Sequence, residues 1–295
     1  MPTRIDNPTS PILVTGGTGT LGRLVVERLR HAGRDVRVLS RSNFEAHGIS
    51  RGSGVDFAPA DLATGEGVEA ALEGVETVMH LAGSAKGDEV KAQHLVAAAR
   101  AAGVRHLVYI SVVGADQVPM NGAIDRAMFG YFGAKHAAER IVAESGIPWT
   151  TLRATQFHEL TLKTIETMAK LPLVPVPSGV SFQPVAAREV ADRLVELALG
   201  EPSGMVPAIG GPRAYEMAEL VRSYLRAAGK RRFLVPMPAP GDAARAMRAG
   251  VNLAPDRAVG RVTWEEFLAE RVGFAGERHA PDPVAGSSQV ARPRE

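Results

Sequence analysis

A 295-residue chain with 45% hydrophobic and 22% charged residues can bury the core of one large α/β domain, or of a nucleotide-type domain carrying a smaller lobe. Its 34 basic and 32 acidic residues are interspersed, leaving no stripe for nucleic acid, and the absence of cysteine excludes a disulfide framework, a thiolate metal site and a cysteine nucleophile. No apolar run reaches the ~18 residues of a membrane span, and the polar, proline-bearing start from Met1 to Pro11 has no charged-then-apolar leader, so a cytoplasmic location without a membrane partner is expected.

Short β-branched runs predict strands at Ile12-Thr15, Asp35-Leu39, Val55-Ala58, Thr77-Leu81, His106-Ser111 and Trp149-Arg153. Segments of helical spacing lie between them at Leu21-Ala32, Gly67-Glu73, Asp88-Ala102 and Gly130-Ser145. This alternation is that of βαβ units, so the expected fold class is α/β: a doubly wound parallel (Rossmann) sheet over residues 11–155. Beyond it, prolines cluster in Leu171-Pro177, and helices are predicted at Arg188-Leu199, Glu216-Ala228 and Trp264-Val272. These form a smaller C-terminal substrate-binding lobe over residues 156–275, with the option of returning strands to the sheet. Residues 276–295 hold almost nothing to bury and are expected to be a disordered tail.

The first strand runs directly into Thr15-Gly16-Gly17-Thr18-Gly19-Thr20-Leu21-Gly22, and Leu24, Val25 and Leu29 continue a helical apolar face. A glycine-rich turn between a strand and a helix is the setting of a dinucleotide site. Gly16 permits the tight turn, Gly19 lets backbone approach a pyrophosphate, and Gly22 allows close helix packing, while the helix N-terminus attracts the anion. The triphosphate loop is excluded, because Arg23 and Leu24 stand where lysine and a hydroxyl are required. At the end of the second strand, Ser40-Arg41-Ser42 replaces the acidic residue that accepts ribose hydroxyls, so a 2′-phosphate on Arg41 is expected, with Ser40, Ser42 and Arg23 as further donors. The expected cofactor is NADPH, with NADH disfavoured.

Later residues extend the pattern: Asp61 after the third strand, His80-Leu81-Ala82-Gly83 after the fourth, Tyr109-Ile110-Ser111-Val112-Val113-Gly114-Ala115 at the fifth, Tyr131-Phe132-Gly133-Ala134-Lys135, and the stretch from Pro148 to Phe157. Over about Pro11 to Val272 the chain resembles the atypical, NmrA-like, NAD(P)H-binding members of the short-chain dehydrogenase/reductase superfamily. The resemblance implies that Asp61, with Leu62 beside it, lies against the adenine, that Ala82 and Gly83 line the adenosine ribose, and that Lys135 holds the nicotinamide ribose.

Tyr131 and Lys135, four apart on a helix, share one face, and an ammonium beside a phenol lowers its pKa from the usual ~10, making Tyr131 a proton donor to a carbonyl. Ser111, at the carboxyl end of a parallel strand, is expected to bind the substrate oxygen. The position after it is Val112 where many relatives carry a second hydroxyl, and a shift of one residue along a strand changes the face. Gln156, Phe157 and Phe182 are expected to line the substrate pocket. His158-Glu159 lacks the second histidine of a zinc-protease helix, and no metal is expected.

These residues point to an NADPH-dependent oxidoreductase of the short-chain dehydrogenase/reductase type that reduces a carbonyl or quinone-like small molecule, acting as monomer or homodimer. Two alternatives stay open: a non-catalytic NADP(H)-binding redox sensor, and an epimerase or dehydratase using the cofactor transiently.

Overall fold

The computed structural model describes residues 10–41, 54–83 and 87–273. Ser42 and the tail 276–295 lie outside the described residues. The first half is built from β1 (Ile12–Thr15), α1 (Thr20–His31), β2 (Val36–Ser40), β3 (Val55–Pro59), α2 (Val68–Ala71), β4 (Thr77–His80), α3 (Asp88–Ala101), β5 (His106–Val112), α4 (Ala123–Ala143) and β6 (Trp149–Ala154). After it come α5 (His158–Met168), β7 (Leu173–Pro177), β8 (Ser181–Phe182), α6 (Ala187–Leu199) and β9 (Gly204–Met205). The last elements are β10 (Tyr215–Glu216), α7 (Met217–Ala227), β11 (Phe233–Met237), α8 (Asp242–Arg248) and α9 (Trp264–Leu268). Among the described residues no helix is long and apolar enough to cross a membrane.

The strands of the central sheet run in the order β3-β2-β1-β4-β5-β6-β9, each pair parallel. Because crossover helices cover both faces of a parallel sheet, its strands are apolar on both sides, and all seven residues of β5 are buried. Val14, Val108, Ile110 and Leu152 face one layer, where α1 and α6 pack together through Leu29 and Leu194. Leu13, Val78, Leu107 and Tyr109 face the other, under α2, α3 and α4. Each such fully buried leucine contributes roughly 1.5–3 kcal/mol. The direction of strand addition reverses between β1 and β4, and that switch point opens a crevice at the carboxyl ends of the strands.

Residues past Ala154 do not all leave the sheet. Helix α6 covers one face and β9 pairs with β6, so the lobe is assembled from the segments on either side of them. Its core joins α5, α7 and α9 through Ile165, Leu220, Trp264 and Phe267, beside a parallel ribbon of β7 and β11 and the short antiparallel pair β8 and β10.

Helix α4 starts seven positions before the expected Gly130, at Ala123. The cause is Asp125, which is buried: one carboxylate oxygen accepts the Gly122 amide at 3.1 Å, capping α4, and the other accepts the Ala243 amide at 3.1 Å, tying α8 to it. That tertiary gain holds Gly130 inside a helix that its own propensity disfavours.

Candidate active site

Between β1 and α1 the chain reverses within Gly16-Gly17-Thr18-Gly19. Gly16 has φ +70°, and a Cβ there would stand 2.7 Å from the Ala82 amide nitrogen, so glycine is what allows the turn to lie against the end of β4. A Cβ on Gly22 would meet the Gly16 carbonyl oxygen at 2.0 Å, so this glycine seats α1 on its own turn. Gly19 is different in kind: a Cβ there would find only the Gly16 carbonyl oxygen, at 3.3 Å, and its surface is otherwise open. Helix α1 begins directly after it without a side-chain cap, so first-turn N–H groups remain for an anion.

A cleft of about 540 Å³ surrounds this turn, and Gly16, Thr18, Gly19, Ser40, Arg41, Asp61, Leu62, Ala82 and Gly83 line it. An open glycine, an uncapped helix end and a basic residue at the far wall fit a dinucleotide. Arg41 is exposed at the end of β2, while Arg23 turns back to donate to the Thr18 carbonyl at 2.9 Å. One carboxylate oxygen of Asp61 accepts the Ala63 amide at 2.8 Å, so this residue shapes its own turn as well as the cleft wall. Gly17, Thr20 and Gly22 line neither this cleft nor the next.

A second cavity, of about 480 Å³, shares Leu81 and Gly83 with the first and continues over the ends of β5 and β6. Its walls are largely apolar, with Leu21, Ile110, Phe157 and Leu160, and its polar lining is Ser111, Tyr131, Lys135, Thr155 and Gln156. Leu107 and Tyr109 pack on the α4 side of the sheet, and alternation brings Ser111 to the same side, while Val112, at the end of the strand, clusters with Phe132 and lines the cavity as well. The Ser111 hydroxyl is 4% exposed and has no hydrogen-bond partner among the described residues. Gln156 accepts the Gln183 amide through Oε1 at 3.4 Å, while its Nε2 is buried and without a partner among the described residues. Thr155 is committed to structure, donating to the Gln183 carbonyl and accepting the Gly211 amide. Phe182 is not brought to this cavity; it pairs with Tyr215 across β8 and β10 and packs in the cores of the lobe.

Lys135 is buried, and its Nζ lies 3.3 Å from Asp88 Oδ2, donates to the Ile110 carbonyl at 3.3 Å, and sits 5.0 Å from the centre of the Tyr109 ring and 5.9 Å from that of Tyr131. Burial pulls its pKa below the ordinary lysine value and the Asp88 carboxylate opposes that shift. The expected lowering of the Tyr131 pKa is not what the arrangement produces. Burial, and then the negative charge of Asp88, push it up to about 12, against the lowering expected from the Lys135 ammonium. Tyr131 is therefore a protonated phenol at the rim of the cavity, 37% exposed.

Beneath the pair, His80 accepts or donates at 2.8 Å with the Thr15 hydroxyl and stacks on Tyr109. Burial, with Lys135 next in weight, lowers its pKa to about 3, so the ring is neutral. Further along α4, Glu139 is buried and forms two bonds with Arg153, at 2.8 and 2.7 Å, while Arg153 also donates to Asp116 at 2.8 Å. Sequence reasoning missed Asp88, Glu139 and this use of Arg153. The available signals were Glu139 one helical turn after Lys135 and an arginine inside an otherwise apolar strand; Asp88 carries none, since an aspartate opening a helix is ordinary capping. Among the described residues no group of His, Asp and Glu side chains is disposed to hold a metal ion.

A family model described as NAD(P)H-binding matches residues 16–199, more than half of the chain and the whole run from the glycine turn through α6. The chain is 32% identical over 223 residues to a (4-alkanoyl-5-oxo-2,5-dihydrofuran-3-yl)methyl phosphate reductase of Streptomyces griseus, covering 74% of both proteins. It is 30% identical over 224 residues to an NAD(P)H azoreductase of Xenophilus azovorans, again covering 74% of both. In fold it is similar to an NADPH-dependent quinone oxidoreductase of Escherichia coli solved with NADPH, with a TM-score of 0.73 at 20% identity, over 88% of this chain and 99% of that one. The chain thus belongs to this NAD(P)H-binding family.

Proposed function

We propose that this protein is an NADPH-dependent reductase of an apolar small molecule bearing a carbonyl or quinone-like oxygen. The observation that carries the reading is the continuity of the two cavities: the glycine-turn cleft leads, past Leu81 and Gly83, into an apolar chamber whose polar lining includes Ser111, Tyr131, Lys135 and Gln156. The names of the relatives support the reaction class, since a furan phosphate reductase and an azoreductase both carry out reduction. Residues 16–19 and the start of α1 would hold the pyrophosphate, Ser40 and Arg41 the 2′-phosphate, Asp61 and Leu62 the adenine side, and Lys135 the ribose nearer the chamber.

When bound, the dinucleotide supplies a hydride to the acceptor. The protein supplies the rest. The Tyr131 phenol, protonated over the physiological range, delivers a proton to the acceptor oxygen, and Ser111 and Gln156 donate hydrogen bonds that orient it. Leu81, Phe157 and Leu160 keep water from the reacting atoms. The rise in the Tyr131 pKa favours the acid role in reduction over the base role in oxidation. The same rise also suits a second reading, a redox sensor that binds NADP(H) without turnover, because a phenol left unactivated is no mark of selection for rate.

The test is NADPH oxidation against a panel of ketones, aldehydes and quinones, run beside Tyr131→Phe and Ser111→Ala. A loss of ~10²–10⁴-fold in kcat/KM for the phenylalanine variant, with NADPH affinity kept, is expected of a general acid. An unaltered rate would remove Tyr131 from the mechanism, and tight NADPH binding with no turnover on any acceptor would give the sensor reading precedence. Arg41→Ala should erase a preference for NADPH over NADH in a fluorescence titration.

A further inference from the structure

We propose that Asp88 is the positioning residue of this site: its carboxylate holds the Lys135 ammonium in the charged, inward-pointing state in which one amine hydrogen is left for the cavity. The inference rests on the reading of Lys135 as a cofactor- and substrate-facing group. Three independent features of the geometry lead to it. First, Asp88 is 1% exposed at the start of a 14-residue helix and Lys135 is 3% exposed, so the buried ammonium has little water to fall back on and the Asp88 carboxylate beside it offsets its burial. Second, the ammonium has three N–H donors; it donates to the Ile110 carbonyl at 3.3 Å and is ion-paired with Asp88 Oδ2 at 3.3 Å, and Lys135 still lines the chamber. Third, the wall between the two cavities has no side chain at this point. A Cβ at Gly83 would stand 3.0 Å from Lys135 Nζ and 3.4 Å from Asp88 Oδ2, so glycine at position 83 makes room for the ion pair as well as for a ligand.

The pair sits among other ionisable groups, and their placement decides what removal of the carboxylate does. Facing Lys135 are Asp88 and Lys91 from α3, Glu139 and Tyr131 from α4, and His80 and Tyr109 from the sheet. Lys91 approaches Asp88 at 3.5 Å and works against Lys135, so without the carboxylate the two ammonium groups and a neutral, buried imidazole are left together. Lys135 then gives up its proton more easily or swings out of the wall. Tyr131, whose phenol Asp88 helps to keep protonated, is released in the same direction. Either event moves the alkaline limb of a reductase to lower pH. A residue that only holds the fold would scale activity at every pH and leave the limb where it is.

The experiment uses the full chain as Asp88→Asn and Asp88→Glu, with the Lys135 side chain followed by ¹H–¹⁵N and ¹³C NMR in protein without cofactor, the resonance being assigned by its absence in Lys135→Arg. In the wild type, the ammonium protons of Lys135 should be visible as a protected resonance at neutral pH. The asparagine variant should lose that resonance or titrate at least about one pH unit lower, the smaller end of what an opposite charge within contact distance does. The alkaline limb of kcat/KM and the pH dependence of the NADPH dissociation constant should shift with it, and Asp88→Glu should recover most of the shift. Should the asparagine variant not fold, Asp88→Ser keeps the helix start without the charge, and the wild-type resonance decides by itself. A wild-type Lys135 with no protected ammonium, or a variant whose Lys135 titration and limb coincide with the wild type, overturns the proposal. If no acceptor is turned over by any form, the reductase reading fails, and the NMR titration still decides whether Asp88 holds the Lys135 charge.

Discussion

The two halves of the cleft are made of different material. Around the glycine turn the walls are mostly backbone and short side chains, held by Gly16, Gly17 and Gly22 in positions where a Cβ would stand within 3.0 Å of its neighbours. Around the chamber the walls are side chains from β5, β6, α4 and α5, and under them lie charges paired across elements, Asp88 with Lys135 and Glu139 with Arg153. The first half is fixed by local sterics and the second by long-range electrostatics. Damage to each should therefore have a different signature.

The largest effect is expected in the side-chain half. Arg153→Ala takes from the buried Glu139 carboxylate its two hydrogen bonds, leaving the His136 imidazole 3.5 Å away and the more distant Lys135 charge, and breaking a buried pair by removing one partner costs about 3–5 kcal/mol. Denaturant unfolding should register that loss, and the double variant Arg153→Met with Glu139→Leu should recover a good part of it, since no charge is then stranded. A double variant no more stable than the single one would show that the pair matters for its shape and not its charge. Next comes the backbone half. Gly22→Ala drives a methyl group against the Gly16 carbonyl and the Gly17 Cα, at 2.0 and 2.6 Å, and overpacking of rigid backbone sits at the upper end of its usual range, ~3 kcal/mol. Here stability and NADPH affinity should fall together, because the same shift opens the turn.

This division also explains what was legible in the sequence. Gly16 and Gly22 announce themselves because a turn of that tightness accepts nothing else there, Gly19 because it completes their spacing, and the strands β1 to β6 because parallel strands are apolar on both faces. Tyr131 and Lys135 stand out through their spacing on one helix. Asp88 does not, since its partner lies 47 positions on in another helix and no periodicity connects them. The early start of α4 is hidden for the same reason: Asp125 gains its second partner from Ala243, far along the chain. The lobe is the least readable part. Helix α5 and the ribbon of β7 and β11 are short elements with prolines at positions 172, 175, 177 and 236, where local signals argue for loop and only tertiary pairing supplies the strand.

Acid should test the cleft and the lobe through one histidine each. His80, under the ion pair, and His158, stacked against both Trp264 and Phe267 with Nε2 donating to the Val262 carbonyl at 3.0 Å, have their pKa lowered by burial to about 3 and about 4. In the unfolded chain each takes a proton near pH 6.5, so the unfolded state binds more protons below that value. The stability these rings contribute is whole above about pH 6.5 and is lost as pH falls toward 4, at roughly 1.4 kcal/mol per pH unit for each ring. Unfolding midpoints between pH 7 and 4.5 should follow that slope. His158→Leu should remove one ring's share and leave the other, and a slope unchanged by this substitution would mean that the lobe does not hold His158 neutral.

The smallest effect on stability, and the most informative about the seam between the halves, belongs to Gly83→Ala. Unlike Gly16, Gly83 does not face backbone: its nearest neighbour is the end of the Lys135 side chain, at 3.0 Å, which can move by a few tenths of an ångström. The cost to folding should be under ~1 kcal/mol, as for a substitution that surrounding side chains can absorb. The methyl group, however, presses on the ammonium and the Asp88 carboxylate at the point where both cavities meet. Turnover and NADPH affinity should drop while the unfolding midpoint stays, the reverse of the pattern expected at Arg153. If the alanine variant instead binds and reacts like the wild type, the ion pair is tolerant of its wall, and the glycine belongs to the cofactor half alone.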